Sequence, residues 1–521
     1  MLGLGRDIIT TPYSEVTQDN VVEIIQAAMP IFQQNAADCD FLMKYDAGVQ
    51  PLKRENEKKF MPWIDCQAVD NVAHEISDFW VGYLFGSPIT IKQRGDSEKS
   101  EEKANGVKDL NSQYYITGSA SKQQKMADRI VKCGHCYTLD EVNADYEVGE
   151  SVFTRDILDP RSAFVVYSSY YSDKRPILGV TFSRDSIGTM IITAYSKTQR
   201  FDITAVKLVE GKRAKAEKYD EWKHGYNWNH LDRSGEANPM NRVPIVEWFC
   251  NYDRTGFFEN QINALDNINL LVSDISNGFE QNVQAIWWSN NVEFETEIIK
   301  DDEGNDVEIV KKPKNGDWVQ TNSPKDGGAP SIEPLVIDYH LEDMQKSYTE
   351  QRQLALQKAH VPNRNDTSGG SSGVAMDSAS GWADAEAIAS TRREVLCGCF
   401  MDELKVILSI IKKVLPSDND MTKLFAADLE PYIQKPKNTD INSKVNGIST
   451  LIKHGFALED ALSAIPLFAD TTQVIARSGE GVKAYQRANV FSEGTDETAN
   501  SERMMPDMSD QVERSRILQN G

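Results

Sequence analysis

No lysine or arginine occurs anywhere from Thr255 to Ile299. A solvated helix face ordinarily mixes both signs of charge, because Glu–Lys pairs one turn apart stabilise it. Long apolar runs are missing as well. A bilayer-spanning helix needs about 18 or more consecutive apolar residues, and even the apolar run at 21–32 is broken by Glu23 and Gln26, so no membrane partner is expected. The first ten residues lack a basic–apolar–small signal pattern and lead into Pro12 and a polar stretch, from which a soluble chain made in a cytosol is expected. Cysteine is scarce and odd in number, seven among 521 residues, which reads as reduced thiols rather than a disulfide framework. Bases are the minority charge overall, and the formal net charge is -23. That argues against static DNA binding by phosphate neutralisation, which needs clustered lysine and arginine. Handling of DNA that moves is compatible with it.

Signatures of catalysis and ligand capture are equally thin. Cys133 and Cys136 form a lone CxxC with His135 inside it, and a structural zinc site needs a second ligand pair at fixed spacing that the chain does not have. A small-residue turn before a strand accounts for it. Cys397 and Cys399 stand two apart in a helical stretch, where they point in different directions and pack separately. Residues 3–5 (GLG) follow no strand, and 369–373 (GGSSG) lack the Lys-Ser/Thr pair of a phosphate loop. Trp222, Tyr226 and Trp228 with Lys223 and His224 could stack bases, but such clusters more often pack a hairpin. The seven histidines show no HExxH pattern. No catalytic residue, cofactor or metal is expected, and the chain does not read as an enzyme.

What the chain does have is periodicity. From residue 257 to 288, Phe258, Ile262, Leu265, Ile268, Val272, Ile275, Phe279, Val283 and Ile286 recur at three- and four-residue steps, which predicts one amphipathic helix roughly 48 Å long. At roughly 100° per residue, Glu259, Asp266, Asp274 and Glu280 fall on the opposite side. An acidic stripe on such a rod suits the wall of a conduit for a polyanion; a solvated face that merely lacks bases is the plainer alternative. Helices are predicted at 20–44 with Asn20 as cap, 62–85, 338–360 and 383–415, and short helices at 439–490 with a stop at His454–Gly455. Between 130 and 250 the pattern turns to strands: 153–158, 164–167, 178–182, 189–195, 203–208 and 243–249. Two further runs, 292–299 and 307–311, flank a turn at 302–305, and 363–380 is a Gly/Ser/Asn-rich loop between helices.

Several segments together resemble the portal protein of tailed bacteriophages, the head-to-tail connector, in the type found in long-tailed phages of Gram-positive hosts. These are 83–90 (YLFGSPIT), 129–142 with GHCY at 134–137, LDP at 158–160 with FVVY at 164–167, 238–248 with VPIV at 243–246, 265–274 (LDNINLLVSD), and 365–376 with SSGVAM at 371–376. The resemblance covers residues 20–465. It departs from the family at 377–382, where a basic-aromatic stretch is replaced by DSASGW, and in the C-terminal region, which matches only in helical character.

The resemblance implies an α+β portal fold with a wing (1–256), a stem helix (257–290), a small α/β clip (291–336) and a second stem helix (337–360). A tunnel loop (361–380), a long wing helix (381–416), a helical crown (417–491) and a polar tail (492–521) complete it. It implies a homo-oligomeric ring, twelvefold as in the family, at one capsid vertex of the virion and assembled in host cytoplasm. Double-stranded DNA would pass without sequence specificity along the acidic stem residues Glu259, Asp266, Asp274 and Glu280. The tunnel loop would comprise Asn363, Arg364, Asn365, Asp366, Thr367, Ser368, Gly369, Gly370, Ser371, Ser372 and Gly373. The implied partners are the terminase large subunit, scaffolding and major capsid proteins, and a head-completion or adaptor protein. The competing readings are a soluble helical scaffold or adaptor without a channel, and a cytosolic hydrolase using acidic side chains.

Overall fold

Apolar side chains at helical spacing from residue 21 produce a helix whose buried face carries Ile24, Ile25, Ala28, Phe32 and Leu42. The computed structural model describes residues 5–51, 65–94, 101–147, 149–170, 174–184, 190–207, 226–227, 235–283, 286–290, 296–300, 306–310, 331–335, 340–363, 381–434 and 441–465. The chain divides into two compact units, residues 1–436 and 437–521.

The first unit opens with β1 (Ile9–Thr11), α1 (Val21–Asp46), α2 (Val72–Phe85), β2 (Thr90–Gln93), α3 (Glu101–Ile116) and α4 (Ser119–Cys133). Nine strands follow: β3 (His135–Val142), β4 (Phe153–Leu158), β5 (Ala163–Ser168), β6 (Pro176–Arg184), β7 (Met190–Ser196), β8 (Gln199–Lys207), β9 (Tyr226–Asn227), β10 (Gly235–Ala237) and β11 (Ile245–Phe249). Then come α5 (Ile262–Val283), β12 (Ile286–Asn290), β13 (Thr296–Lys300), β14 (Asp306–Val310), β15 (Ser331–Leu335), α6 (Leu341–Lys358), α7 (Trp382–Val414) and β16 (Leu429–Tyr432).

The predicted strands at 153–249 are present, and their alternation sorts them into two sheets. One has the order β1-β5-β6-β7-β8-β10 with β9 also on β8, and the other the order β11-β3-β4. The first sheet buries Phe164, Val180, Ile192 and Phe201 against α1, where Phe32 stacks on Phe182 at 5.1 Å between centroids. The second sheet lies in a larger core with α2, α4 and α7, built on Trp80, Trp248, Phe153, Leu404 and Ile407. At about 25 cal/mol per Å² of apolar surface, each such aromatic or aliphatic side chain contributes roughly 1.5–3 kcal/mol when buried.

Several expectations are corrected. The helix expected at 62–85 begins only at Val72, and residues 65–70 run as a segment without helix. Asn20 occupies the N-cap position of α1, but its side chain turns away from the helix: it accepts from the Thr17 amide (2.8 Å) and donates to the Glu15 carbonyl (3.0 Å). Helices α3 and α4 were not anticipated, although Met126, Ala127, Ile130 and Val131 of α4 recur at helical spacing and are all buried. The rod expected over 257–288 is shorter. Residues Glu259–Gln261 form one 3-10 turn, α5 ends at Val283, and Ile286–Asn290 is a strand paired with Ser331–Leu335. Its 22 residues give about 33 Å. The β-branched and aromatic run Ile286–Trp288 prefers a pleated strand to a helix turn.

Strands β13 and β14 pair Lys300 with Asp306 and Thr296 with Val310; the turn expected at 302–305 lies outside the described residues. In the second unit, α8 (Ile441–Lys453) and α9 (Leu458–Ala464) pack Ile448 against Ala461 and Leu462. Between them Gly455 adopts φ +89°, and Phe456 N donates to the Leu451 carbonyl (3.1 Å), a helix stop of Schellman type.

Candidate functional site

Helix α5 is placed by a crossing of backbones that only glycine permits. A Cβ on Gly134 would lie 2.0 Å from the Arg254 carbonyl oxygen, and one on Gly256 would lie 2.3 Å from that of Lys132. Gly134, at φ +81°, ends α4 in the left-handed region. The Phe257 amide then donates to the Val131 carbonyl (2.9 Å), so the start of the α5 segment is clamped to the end of α4. Phe258 is fully buried and stacks on Tyr45 at 5.9 Å.

Glu259 belongs to this clamp, not to an exposed stripe. It is 3% exposed, ion-paired with the buried Arg6, and accepts from the amides of Gly5 (3.1 Å) and Gly256 (2.8 Å). The expectation that it lines a channel is therefore corrected: the chain bends into a 3-10 turn there, which moves Glu259 out of the phase of α5. Asp266 is half-buried and accepts from the Tyr45 hydroxyl (2.8 Å), whose pKa is raised by burial and by this carboxylate. Asp274 is exposed and Glu280 half-buried.

The middle of the acidic face is covered by the chain itself. On a helical wheel at roughly 100° per residue, Ser273 and Asn277 fall between Asp274 and Glu280. Asn269, Ser273 and Asn277 are buried and spaced one turn apart. They accept from the amides of Asp70 (2.9 Å), Ala68 (3.0 Å) and Cys66 (2.7 Å). Asn277 donates back to the Cys66 carbonyl (3.3 Å), and the single Ser273 hydroxyl proton lies between the carbonyls of Asn269 (2.8 Å) and Ala68 (3.2 Å). The match is metric. Four residues of helix rise about 6.0 Å and two residues of extended chain about 6.6 Å, so each turn of α5 meets alternate residues of the segment. Side-chain amides and a hydroxyl here replace the backbone ladder of a neighbouring strand.

Helix α6 holds the same segment from another side. Arg352 pairs with Asp70 (3.0 Å) and with Glu75, and the Tyr348 hydroxyl donates to Asp70 (2.9 Å). The indole of Trp80 donates to the Ala359 carbonyl (3.0 Å) at the end of α6. There His360 takes φ +56°, and Val361 N donates to the Leu356 carbonyl (2.9 Å). Of the expected loop residues, Asn363 follows directly; Arg364 through Gly373, and the rest of the stretch to 380, lie outside the described residues. So do Trp222, Lys223, His224 and Trp228. Two large apolar side chains stand exposed on α5 and α6: Phe279 is 64% exposed and Leu354 48%.

Other buried polar groups serve cohesion. Glu403 of α7 is fully buried and collects Arg155 (2.9 Å), the Trp248 indole (2.9 Å) and the hydroxyls of Thr138 and Tyr114 (both 3.2 Å). One carboxylate thereby ties α7 to β3, β4, β11 and α3. The CxxC cysteines are buried, Cys133 Sγ 3.8 Å from the Cys39 carbonyl and Cys136 Sγ 3.4 Å from that of Leu158; burial pushes the Cys136 thiol up to about 12. Thiols kept protonated are poor nucleophiles and poor ligands. Among the described residues no group of three or more His, Cys, Asp or Glu could hold a metal, and no helix is long and apolar enough to cross a membrane.

Sequence reasoning missed the Asn269–Ser273–Asn277 ladder and Glu403. The first was visible as three small polar residues at four-residue spacing, but a solvated face looks the same.

Among solved structures, a chain described as "Neck of empty GTA particle computed with C6 symmetry" is similar over 82% of this chain and 95% of its own length, at 12% identity and a TM-score of 0.36. No curated protein matches. The family described as "Phage portal protein, SPP1 Gp6-like" matches residues 32–486, so the chain belongs to that family of phage portal proteins.

Proposed function

We propose that twelve copies of this portal protein close into a ring at one capsid vertex, around a channel through which double-stranded DNA is packaged and later leaves. The observation that carries this reading is α5. It is free of bases, shows Asp274 to solvent and leaves Phe279 64% exposed. In a ring the apolar side chains of α5 and α6, Phe279 and Leu354 among them, meet neighbouring copies. Asp274 and Glu280, now without Glu259 and Asp266, repel the phosphate backbone so that DNA slides without adhering.

In this reading residues 1–256 form the wing, 257–290 and 337–360 the two stem segments, 291–336 the clip and 361–380 the tunnel loop. Residues 381–416 are the long wing helix, 417–491 the crown and 492–521 the tail. The clip docks the terminase large subunit during packaging and a head-completion or adaptor protein afterwards, while scaffolding and major capsid proteins meet the wing. The ring assembles in host cytoplasm. The chain performs no catalysis of its own; its task is geometric and electrostatic.

Reversing the two stem charges (Asp274→Lys with Glu280→Lys) tests the conduit. Rings should form at normal yield, while DNA packaged per particle falls several-fold through added phosphate contacts. Normal packaging by that variant would remove the basis for a repelling wall. Deleting residues 366–373 should likewise spare rings and reduce packaging, and an undiminished phage titre would count against a working loop.

A further inference from the structure

An open groove of about 1140 Å³ runs between α7, β11 and the ends of β5 and β6. Its floor is apolar, formed by Ile245, Phe249, Val395, Cys399 and Val406. Ile8, Tyr170 and Tyr252 at its margin are 46%, 58% and 76% exposed. The mouth is basic: Lys174, Arg175, Lys197 and Arg242 are exposed there against exposed Glu394, while Lys405 and Asp402 are paired with each other at 2.7 Å. On a chain of net charge -23 such a mouth stands out, and it selects an acidic occupant with an apolar tip.

The chain carries a segment of that chemistry. Between Lys132 and Arg155 there is no lysine or arginine, and the β3–β4 turn exposes Asp145, Glu147 and Glu150 around Tyr146, which is 38% exposed. Asn143 N bonds the Val152 carbonyl (3.0 Å) and Glu150 N that of Glu147 (3.0 Å). No ion pair among the described residues engages its three carboxylates. Strand order β11-β3-β4 puts the groove beside one edge strand, whereas the turn leads into the strand at the other edge. Two different, complementary patches join copies head to tail, as ring closure requires, whereas a self-complementary patch stops at a dimer.

We propose that the groove beside β11 receives the acidic β3–β4 turn of a second copy of this chain. Tyr146 sits on the apolar floor, and Asp145, Glu147 and Glu150 face the basic mouth. This rests on the ring reading above and names the contact that closes the ring.

Charge exchange tests it, with assembly read by light scattering and native mass spectrometry and folding checked by thermal melts. A groove variant (Lys197→Glu with Arg242→Glu) and a turn variant (Asp145→Lys with Glu147→Lys) should each lower the ring fraction about tenfold by placing like charges together. All four changes in one chain should restore rings to near the parent level. Parent-like assembly by either two-site variant overturns the proposal while leaving the ring reading intact. Loss without rescue in the four-site chain also overturns it. Undiminished rings in a groove variant that has lost binding to a short DNA duplex would reassign the groove to a polyanion. A parent chain that forms no ring at all overturns the ring reading itself, and the proposal with it.

Discussion

His135 opens β3 with 1% exposure, its ring edge-on to Tyr137 and its Nδ1 3.4 Å from the Cys133 carbonyl. Burial holds its pKa down to about 4, with Arg6 and Arg254 pulling the same way and Glu247 opposing. Below its ordinary value near 6.5, the unfolded chain takes up a proton that the folded chain refuses. Stability is therefore lost as pH falls from 6.5 towards 4, by about 3 kcal/mol at most. Melts of the His135→Gln variant should show a shallower decline across that window than the parent; parallel curves would mean that His135 does not titrate this way. Asp140 works in the reverse sense. Burial first, then the Glu403 carboxylate, push its pKa well above the usual range, with Arg155 opposing. Its cost grows as pH rises above the unfolded value near 3.8. Asp140→Asn should accordingly raise Tm at pH 8 and lose that advantage near pH 4, whereas a lower Tm at pH 8 would show that the charged form is the one the fold needs. Neither environment could be read from sequence. His135 and Asp140 lie in a strand whose neighbours, β4 and β11, are set by pairing, and Glu403 arrives from a helix some 260 residues later.

The elements were more legible than their partners. Alternation located the strands of residues 153–249 because each sheet buries one face, and the stripe of α7 was plain because Leu396, Leu404, Ile407 and Ile411 all enter one core. Helix α5 shows where that logic stops. Its apolar stripe reads as a helix and is one from Ile262 to Val283, yet its polar face divides into a buried ladder, the half-buried Asp266 and Glu280 and the exposed Asp274, which composition does not separate. What separates them is the segment 65–70, which lies some 200 residues earlier in the chain. The ladder makes a measurable claim. Each of Asn269→Ala, Ser273→Ala and Asn277→Ala removes hydrogen bonds worth about 1 kcal/mol apiece net. Amide exchange at Asp70, Ala68 and Cys66 respectively should accelerate, with little change in the core of β5 or β6. Unchanged exchange at those three amides would show that α6 alone, through Arg352 and Tyr348, holds the segment.

For the whole molecule, the family assignment turns a chain of uneven surfaces into a subunit. Phe279 and Leu354 on α5 and α6, the basic groove beside β11 and the acidic β3–β4 turn are awkward features of an isolated protein and ordinary ones of an interface. The net charge of -23, at odds with gripping DNA, suits a passage that must not hold it. All of this depends on copies closing around an axis. The most direct measurement is electron microscopy of the purified protein, counting the symmetry of its end-on views. Rings with an open centre, in twelvefold or neighbouring symmetry, are the predicted result. Compact particles without a hole at every concentration tested would contradict the account and leave the base-free helix with no channel to line.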